Sequence, residues 1–142
     1  MATQRQNIVA QIVTELKDID GVSPYIGPDL VDHVYPTSIF WDEVDNFPTI
    51  SVTSGTETRE YLSGGFKWGF LTINIQIYVK SNTPKDDLEN IFSDIESVLD
   101  ANNNLGGLCT DIRILSLNDD EGLLHPLGVG EMTLQVQYSI IT

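Results

Sequence analysis

Apolar residues recur along the chain with two periods, one typical of helices and the other typical of strands. One stripe at helical spacing covers residues 3–18, and a second covers residues 88–99. Thr83 and Pro84 precede the second stripe as an N-cap and a first helical residue. The pattern therefore predicts two amphipathic helices, and each needs an apolar surface to pack against.

Alternating apolar positions predict strands in much of the remaining chain. The alternation marks five segments, at residues 31–35, 49–54, 66–79, 108–117 and 131–141. In the strongest of them, leucine, isoleucine and valine occupy one face, and the other face includes Trp68, Thr72 and Tyr78. We expect the first face to lie in the core and the second to face solvent or a partner.

Glycine and proline mark the connections between these elements. Residues 21–48 contain four of the six prolines, which leaves no room for a long helix. Residues 55–65 are predicted to be a connection, with Gly64 and Gly65 at the tip of a hairpin. Residues 118–122 are predicted to be a polar loop.

The order of these elements predicts an α+β fold. We expect two helices packed on one face of a mainly antiparallel β-sheet, with a projecting hairpin. A chain of 142 residues is the length of one domain, so residues 1–142 are predicted to form a single unit.

The charge balance narrows the possible partners. The chain has 21 acidic residues against 7 lysines and arginines, a formal net charge of −14. This charge argues against binding a nucleic-acid backbone or an anionic membrane surface. The start of the chain has no apolar signal segment, and no stretch reaches the length of a membrane span, so we expect a protein kept in a cytoplasm.

Residues that often carry chemistry form no catalytic motif. His33 and His125 lie in no metal or triad pattern, and the single cysteine, Cys109, excludes an internal disulfide and is predicted to be a small core residue. The carboxylates at positions 119–121 could hold a divalent cation, but the EF-hand spacing fails and a solvated loop is favoured. We therefore predict no enzyme activity, no cofactor and no metal site.

Five aromatic residues lie outside the core stripes, namely Phe40, Trp41, Phe47, Phe66 and Trp68. Two interpretations stay open for them. They could form an assembly interface, as apolar loops beside polar faces often do. They could equally close the core beneath the proline-rich segment.

The layout as a whole resembles a known family. An N-terminal helix leads into a proline-rich stretch ending in NFPTISVTSG, and then into LTINIQIYVK, an acidic helix and HPLGVGEMTLQVQYSI. This arrangement resembles the tail terminator and tail-completion proteins of long-tailed bacteriophages, the lambda-like gene U class. The resemblance covers nearly the whole chain and includes Phe-Pro before a strand, Gly-Gly after the second helix and a terminal strand ending near Tyr138.

The resemblance implies a structural protein of the virion tail, without catalytic residues. Such a subunit closes into a ring, usually of six, that caps the finished tail tube, ends its polymerisation and joins it to the head-side connector. The expected place is the head-proximal end of the tail, after assembly in the host cytoplasm. DNA would pass through the lumen without specific binding, because a negative lining repels phosphate.

The resemblance also implies that the hairpin, at residues 56–67, and the terminal strand make ring or tube contacts. A ring of six would carry a formal charge of about −84, so its contacts would need apolar anchors or salt bridges. The candidate contact residues are Arg59, Tyr61, Phe66, Lys67, Trp68, Arg113 and Trp41. Alternative functions are another neck or baseplate ring component, or an acidic cytoplasmic adaptor module.

Overall fold

A computed structural model describes residues 3–22, 24–37, 39, 44 and 46–140. Its elements, in chain order, are α1 (Gln4–Leu16), β1 (Val34–Tyr35), β2 (Thr49–Tyr61), β3 (Lys67–Lys80), α2 (Pro84–Ala101), β4 (Asp111–Asp119) and β5 (Leu127–Ser139). The strands form one sheet in the order β1-β2-β3-β5-β4. Because β1 is parallel to β2 and all other neighbours are antiparallel, the predicted α+β fold is confirmed.

Each helix starts in a different way. α1 begins with a capping box in which Thr3 and Gln6 bond each other's backbone N–H groups. At α2 the side chain of Thr83 makes no cap hydrogen bond, contrary to its predicted role. Ser81 organises this turn instead, because its hydroxyl accepts from the Thr83 N–H at 3.0 Å and donates to Asp87.

Both helices cover the same face of the sheet. The alternating residues of β3 and β5 on that face are fully buried and form the centre of the core, together with apolar residues of both helices. α2 passes so close to β5 that a Cβ atom on Gly130 would lie 2.8 Å from Cζ of Phe92. The glycine therefore permits this close packing of helix on strand.

A buried carboxylate fixes the proline-rich segment against the second helix. Asp94 of α2 accepts from the Ile26 N–H at 3.0 Å and from the Gly27 N–H at 2.8 Å. Two hydrogen bonds to one carboxylate satisfy a polar group that is otherwise cut off from water. The segment is thus anchored at Ile26 and Gly27, and among its described residues Val34 and Tyr35 form a strand.

The observed strands differ from the predicted ones at several boundaries. β1 comprises only the end of the predicted segment 31–35, and β4 begins three residues later than predicted. β5 begins at Leu127 rather than at residue 131. β2 continues to Tyr61, so the prediction of a connection over residues 55–65 is wrong for most of its length.

One side chain of the sheet's open face was also placed wrongly. Tyr78 was expected to face solvent or a partner, but it is only 7% exposed. Its hydroxyl donates to the carbonyl of Ile39 at 2.9 Å, within the segment that follows β1. Ile39 of the proline-rich segment therefore lies against this end of the open face.

Candidate assembly interface

A β-bulge between Ser54 and Glu57 redirects the side chains of β2. Before the bulge, Ile50 and Val52 point toward the helices, and each pairs with an isoleucine of β3. After the bulge, Glu57 pairs with Leu71 and Arg59 with Gly69, so these two charged residues now share the helix-facing side. The bulge thus brings ionic groups to the end of the apolar face.

These ionic groups are held by the terminal strand. The Glu57 side chain is only 4% exposed, and it accepts from the hydroxyl of Tyr138 and from Nε of Arg59, the latter at 2.8 Å. Burial, followed by the hydrogen bond to Glu57 and its charge, raises the pKa of Tyr138 to about 12. The tyrosine is therefore a fixed donor at neutral pH, and we call these three residues the Glu57 network.

The hairpin tip, defined as residues 61–67, extends from this network. Gly64 and Gly65 both have a φ of +83°, which allows the tight turn between β2 and β3. The Leu62 N–H donates to the Phe66 carbonyl at 2.8 Å and closes the turn. The predicted glycine-containing hairpin tip is therefore present, although it is shorter than expected.

The tip presents aromatic side chains to solvent. Tyr61 is 68% exposed and Phe66 is 65% exposed. The ammonium group of Lys67 lies 5.2 Å from the centroid of the Tyr61 ring, a cation–π distance. Exposed apolar groups of this size beside a cation form a suitable anchor for another protein.

The structure brings together five of the seven candidate contact residues, at the hairpin end of the sheet. Arg59, Tyr61, Phe66 and Lys67 belong to the tip or its base, and Trp68 lies half-buried on the opposite face of β3. Arg113 lies apart, on the edge strand β4, where its Nε is 3.2 Å from Asp111. Trp41, and Phe40 beside it, lie outside the described residues.

The opposite end of the sheet carries a second exposed apolar group, which the sequence reasoning missed. We define the acidic loop as residues 119–124, which begin with the last residue of β4 and lead toward β5. In it Leu123 is 85% exposed and Leu124 is 41% exposed. Their only signal in the sequence is two leucines beside three acids in a turn, outside any stripe.

The carboxylates of the acidic loop have roles within the protein. Asp119 pairs with Lys85 at 3.0 Å, and this hydrogen bond lowers the pKa of Asp119. Asp120 accepts from the N–H groups of Gly122 and Leu124. Within the described part of the chain, no group of three or more His, Cys, Asp or Glu side chains is placed to hold a metal ion.

Other features of the described residues bear on the remaining predictions. Cys109 is buried, as predicted, and burial raises the pKa of its thiol to about 11.

An open groove of about 710 Å³ lies between α1 and β2, and the described residues lining it include Arg5, Gln6 and Thr53. None of the helices that the structure describes has the length and apolar character needed to cross a membrane.

The chain is a small α+β subunit, and exposed apolar groups at both ends of its sheet are typical of surfaces that contact other proteins. Comparison with known proteins gives a more specific result. A family model described as Bacteriophage Tail Tube Terminator Protein matches residues 2–142. The chain is also 34% identical, over 150 aligned residues, to the tail tube terminator protein p142 of Escherichia phage T5, with 94% of this chain and 92% of the relative covered.

The chain therefore belongs to the bacteriophage tail tube terminator family. The predicted resemblance to phage tail terminators is confirmed. The protein is a structural component of a bacteriophage tail, and it associates with the tail tube.

Proposed function

We propose that this chain assembles into a ring, with six copies the expected number, that caps the finished tail tube. In this role it ends tube polymerisation and joins the tube to the head-side connector. The observation that carries the proposal is the family match over residues 2–142, supported by the 34% identity to a tail tube terminator. The ring acts by shape and contact, without catalysis and without a cofactor.

The proposed position is the head-proximal end of the virion tail, reached after assembly in the host cytoplasm. DNA then passes through the lumen without specific binding, because a subunit with a net charge of −14 repels phosphate. Since so much like charge opposes ring closure, apolar anchors are needed at the contacts. The exposed tip residues Tyr61 and Phe66 are the proposed anchors, toward the tube or a neighbouring subunit.

The test is to add the purified protein to tail tube protein that is polymerising. We expect tube elongation to stop, with tube length falling as the ratio of this protein to tube protein rises. Electron microscopy should show one additional ring of density at one end of each tube. Tubes that elongate unchanged, with bare ends, would contradict the proposal.

A pair of variants tests the part played by the hairpin tip. Replacing Tyr61 and Phe66 together by Ser should abolish capping while leaving the circular dichroism spectrum unchanged. Val22, which is 63% exposed and lies far from the tip in sequence, provides the matched control as Val22→Ser. Equal capping by both variants would remove the tip from the proposed contact.

A further inference from the structure

The two exposed apolar groups lie at opposite ends of the sheet. β3 has 14 residues, and at about 3.3 Å per residue its ends are about 45 Å apart. β2 and β3 meet at the hairpin tip, whereas β4 and β5 meet at the acidic loop. The tip and the loop of one molecule are therefore too far apart to contact each other.

The two ends also differ in charge. The hairpin tip, residues 61–67, contains a single charged side chain, Lys67, and the exposed side chains of Arg59 and Glu60 just before it carry opposite charges. The acidic loop contains Asp119, Asp120 and Glu121, and Lys85 lies within 3.0 Å of the first of these. Glu121 is exposed beside the exposed leucines. Each end thus combines apolar surface with charge, and the charges have opposite sign.

We propose that the hairpin tip of one copy docks on the acidic loop of a second copy of this chain. Tyr61 and Phe66 pack against Leu123 and Leu124, and Lys67 pairs with Glu121. The inference rests on the proposed function, since it names the contact by which the ring closes. Because the two patches differ, the contact is head-to-tail, and repetition of such a contact generates a closed ring or an open filament.

Charge selects this arrangement over the symmetric alternatives. A tip-to-tip dimer would place Lys67 against Lys67, and a loop-to-loop dimer would place the carboxylates of both copies together. Like charges brought together at an interface oppose binding, whereas opposite charges favour one partner and one orientation. Only the contact between tip and loop brings apolar groups together with charges of opposite sign.

The experiment uses two single charge reversals and their mixture. Lys67→Glu brings two carboxylates together across the proposed contact, and Glu121→Lys brings two ammonium groups together there. Each variant alone should therefore associate at least about tenfold more weakly than the native chain. In an equal mixture, the reversed tip of one variant can meet the reversed loop of the other, which restores a pair of opposite charges. We expect the mixture, and also the double variant, to regain association in sedimentation velocity, and the double variant to reach the native mass.

Matched controls separate this contact from the general effect of charge. Lys17→Glu and Glu96→Lys make the same changes at exposed positions outside both patches. They should leave association within about twofold of native. Single reversals that keep the native mass, or a mixture and a double variant that stay dissociated, would overturn the proposed contact.

The result also distinguishes the contact from the proposed function. A native chain that stays monomeric at every concentration and salt tested would overturn self-docking of tip and loop. Tube capping by the same preparation would then leave the terminator role intact. If the chain associates as predicted but never caps tubes, the contact stands and the proposed function fails.

Discussion

The two halves of β2 belong to one strand, but different interactions hold their side chains in place. In the first half Ile50 and Val52 are fully buried in the core, and apolar burial fixes their position. In the second half the same face carries Glu57 and Arg59, and their position is fixed by hydrogen bonds to each other and to Tyr138. The first half stabilises the fold, whereas the second half holds the hairpin tip in place.

The largest loss of stability should come from a substitution in the buried first half of β2. Ile50→Ala removes a fully buried side chain and leaves a cavity, so the free energy of unfolding should fall by about 2–5 kcal/mol. Urea denaturation followed by circular dichroism measures the change. Thr58→Ala, at an exposed position past the bulge, is the control and should stay within about 0.5 kcal/mol of native. Similar losses for both would remove the distinction between the halves.

A smaller loss of stability is expected from a substitution in the Glu57 network. Glu57→Gln keeps the size of the side chain but presents an amide to groups that now donate to a carboxylate. The free energy of unfolding should therefore fall by about 1–3 kcal/mol. Glu60 makes a good control, because it is an exposed glutamate on the opposite face of the same strand. Glu60→Gln should change the free energy of unfolding by less than about 0.5 kcal/mol. An equal cost for the two changes would mean that the network does not hold the hairpin.

The same network should make the stability of the folded protein depend on pH in the alkaline range. The pKa of Tyr138 rises from 10.0 to about 12 in the folded protein, so folding favours the protonated phenol. This stabilisation is complete below about pH 10 and is lost as the pH rises from about 10 to about 12. Thermal unfolding across this window should show a steeper loss for the native chain than for Tyr138→Phe. Parallel curves would show that Tyr138 is not the group responsible.

The smallest effect on stability is expected at the hairpin tip. Phe66 is 65% exposed, so Phe66→Ser should change the free energy of unfolding by no more than about 0.5 kcal/mol. Urea denaturation checks this directly. A loss above about 2 kcal/mol would show that the tip belongs to the core rather than to a contact surface.

Much of the fold was predictable because buried positions in helices and strands give a periodic pattern of apolar residues in the sequence. The stripes of both helices and the alternation of β3 gave these elements to within about two residues at most ends. The first residues of β5 were missed because Gly128 and Gly130 interrupt the alternation. Those glycines make room for α2, and such a tertiary contact cannot be read from a local pattern.

The candidate interface was only partly predictable. Sequence reasoning placed Phe66 outside the core stripes and gave Tyr61 and Phe66 as candidate contacts, and both are exposed at the tip. It missed the second half of β2, where Glu57 and Arg59 occupy the positions that an amphipathic strand would fill with apolar residues. The partner that explains Glu57 is Tyr138, 81 positions away, and nothing in the local sequence connects the two.

The buried thiol of Cys109 makes the native chain a convenient background for labelling. The chain has no other cysteine, and a thiol with a pKa of about 11 is almost fully protonated at neutral pH. Maleimide reagents attack the thiolate, so the native protein should react slowly with them. A cysteine introduced at an exposed position outside the proposed contact, such as Thr58, would then carry nearly all the dye. Fluorescence could follow that position during assembly without further engineering of the chain.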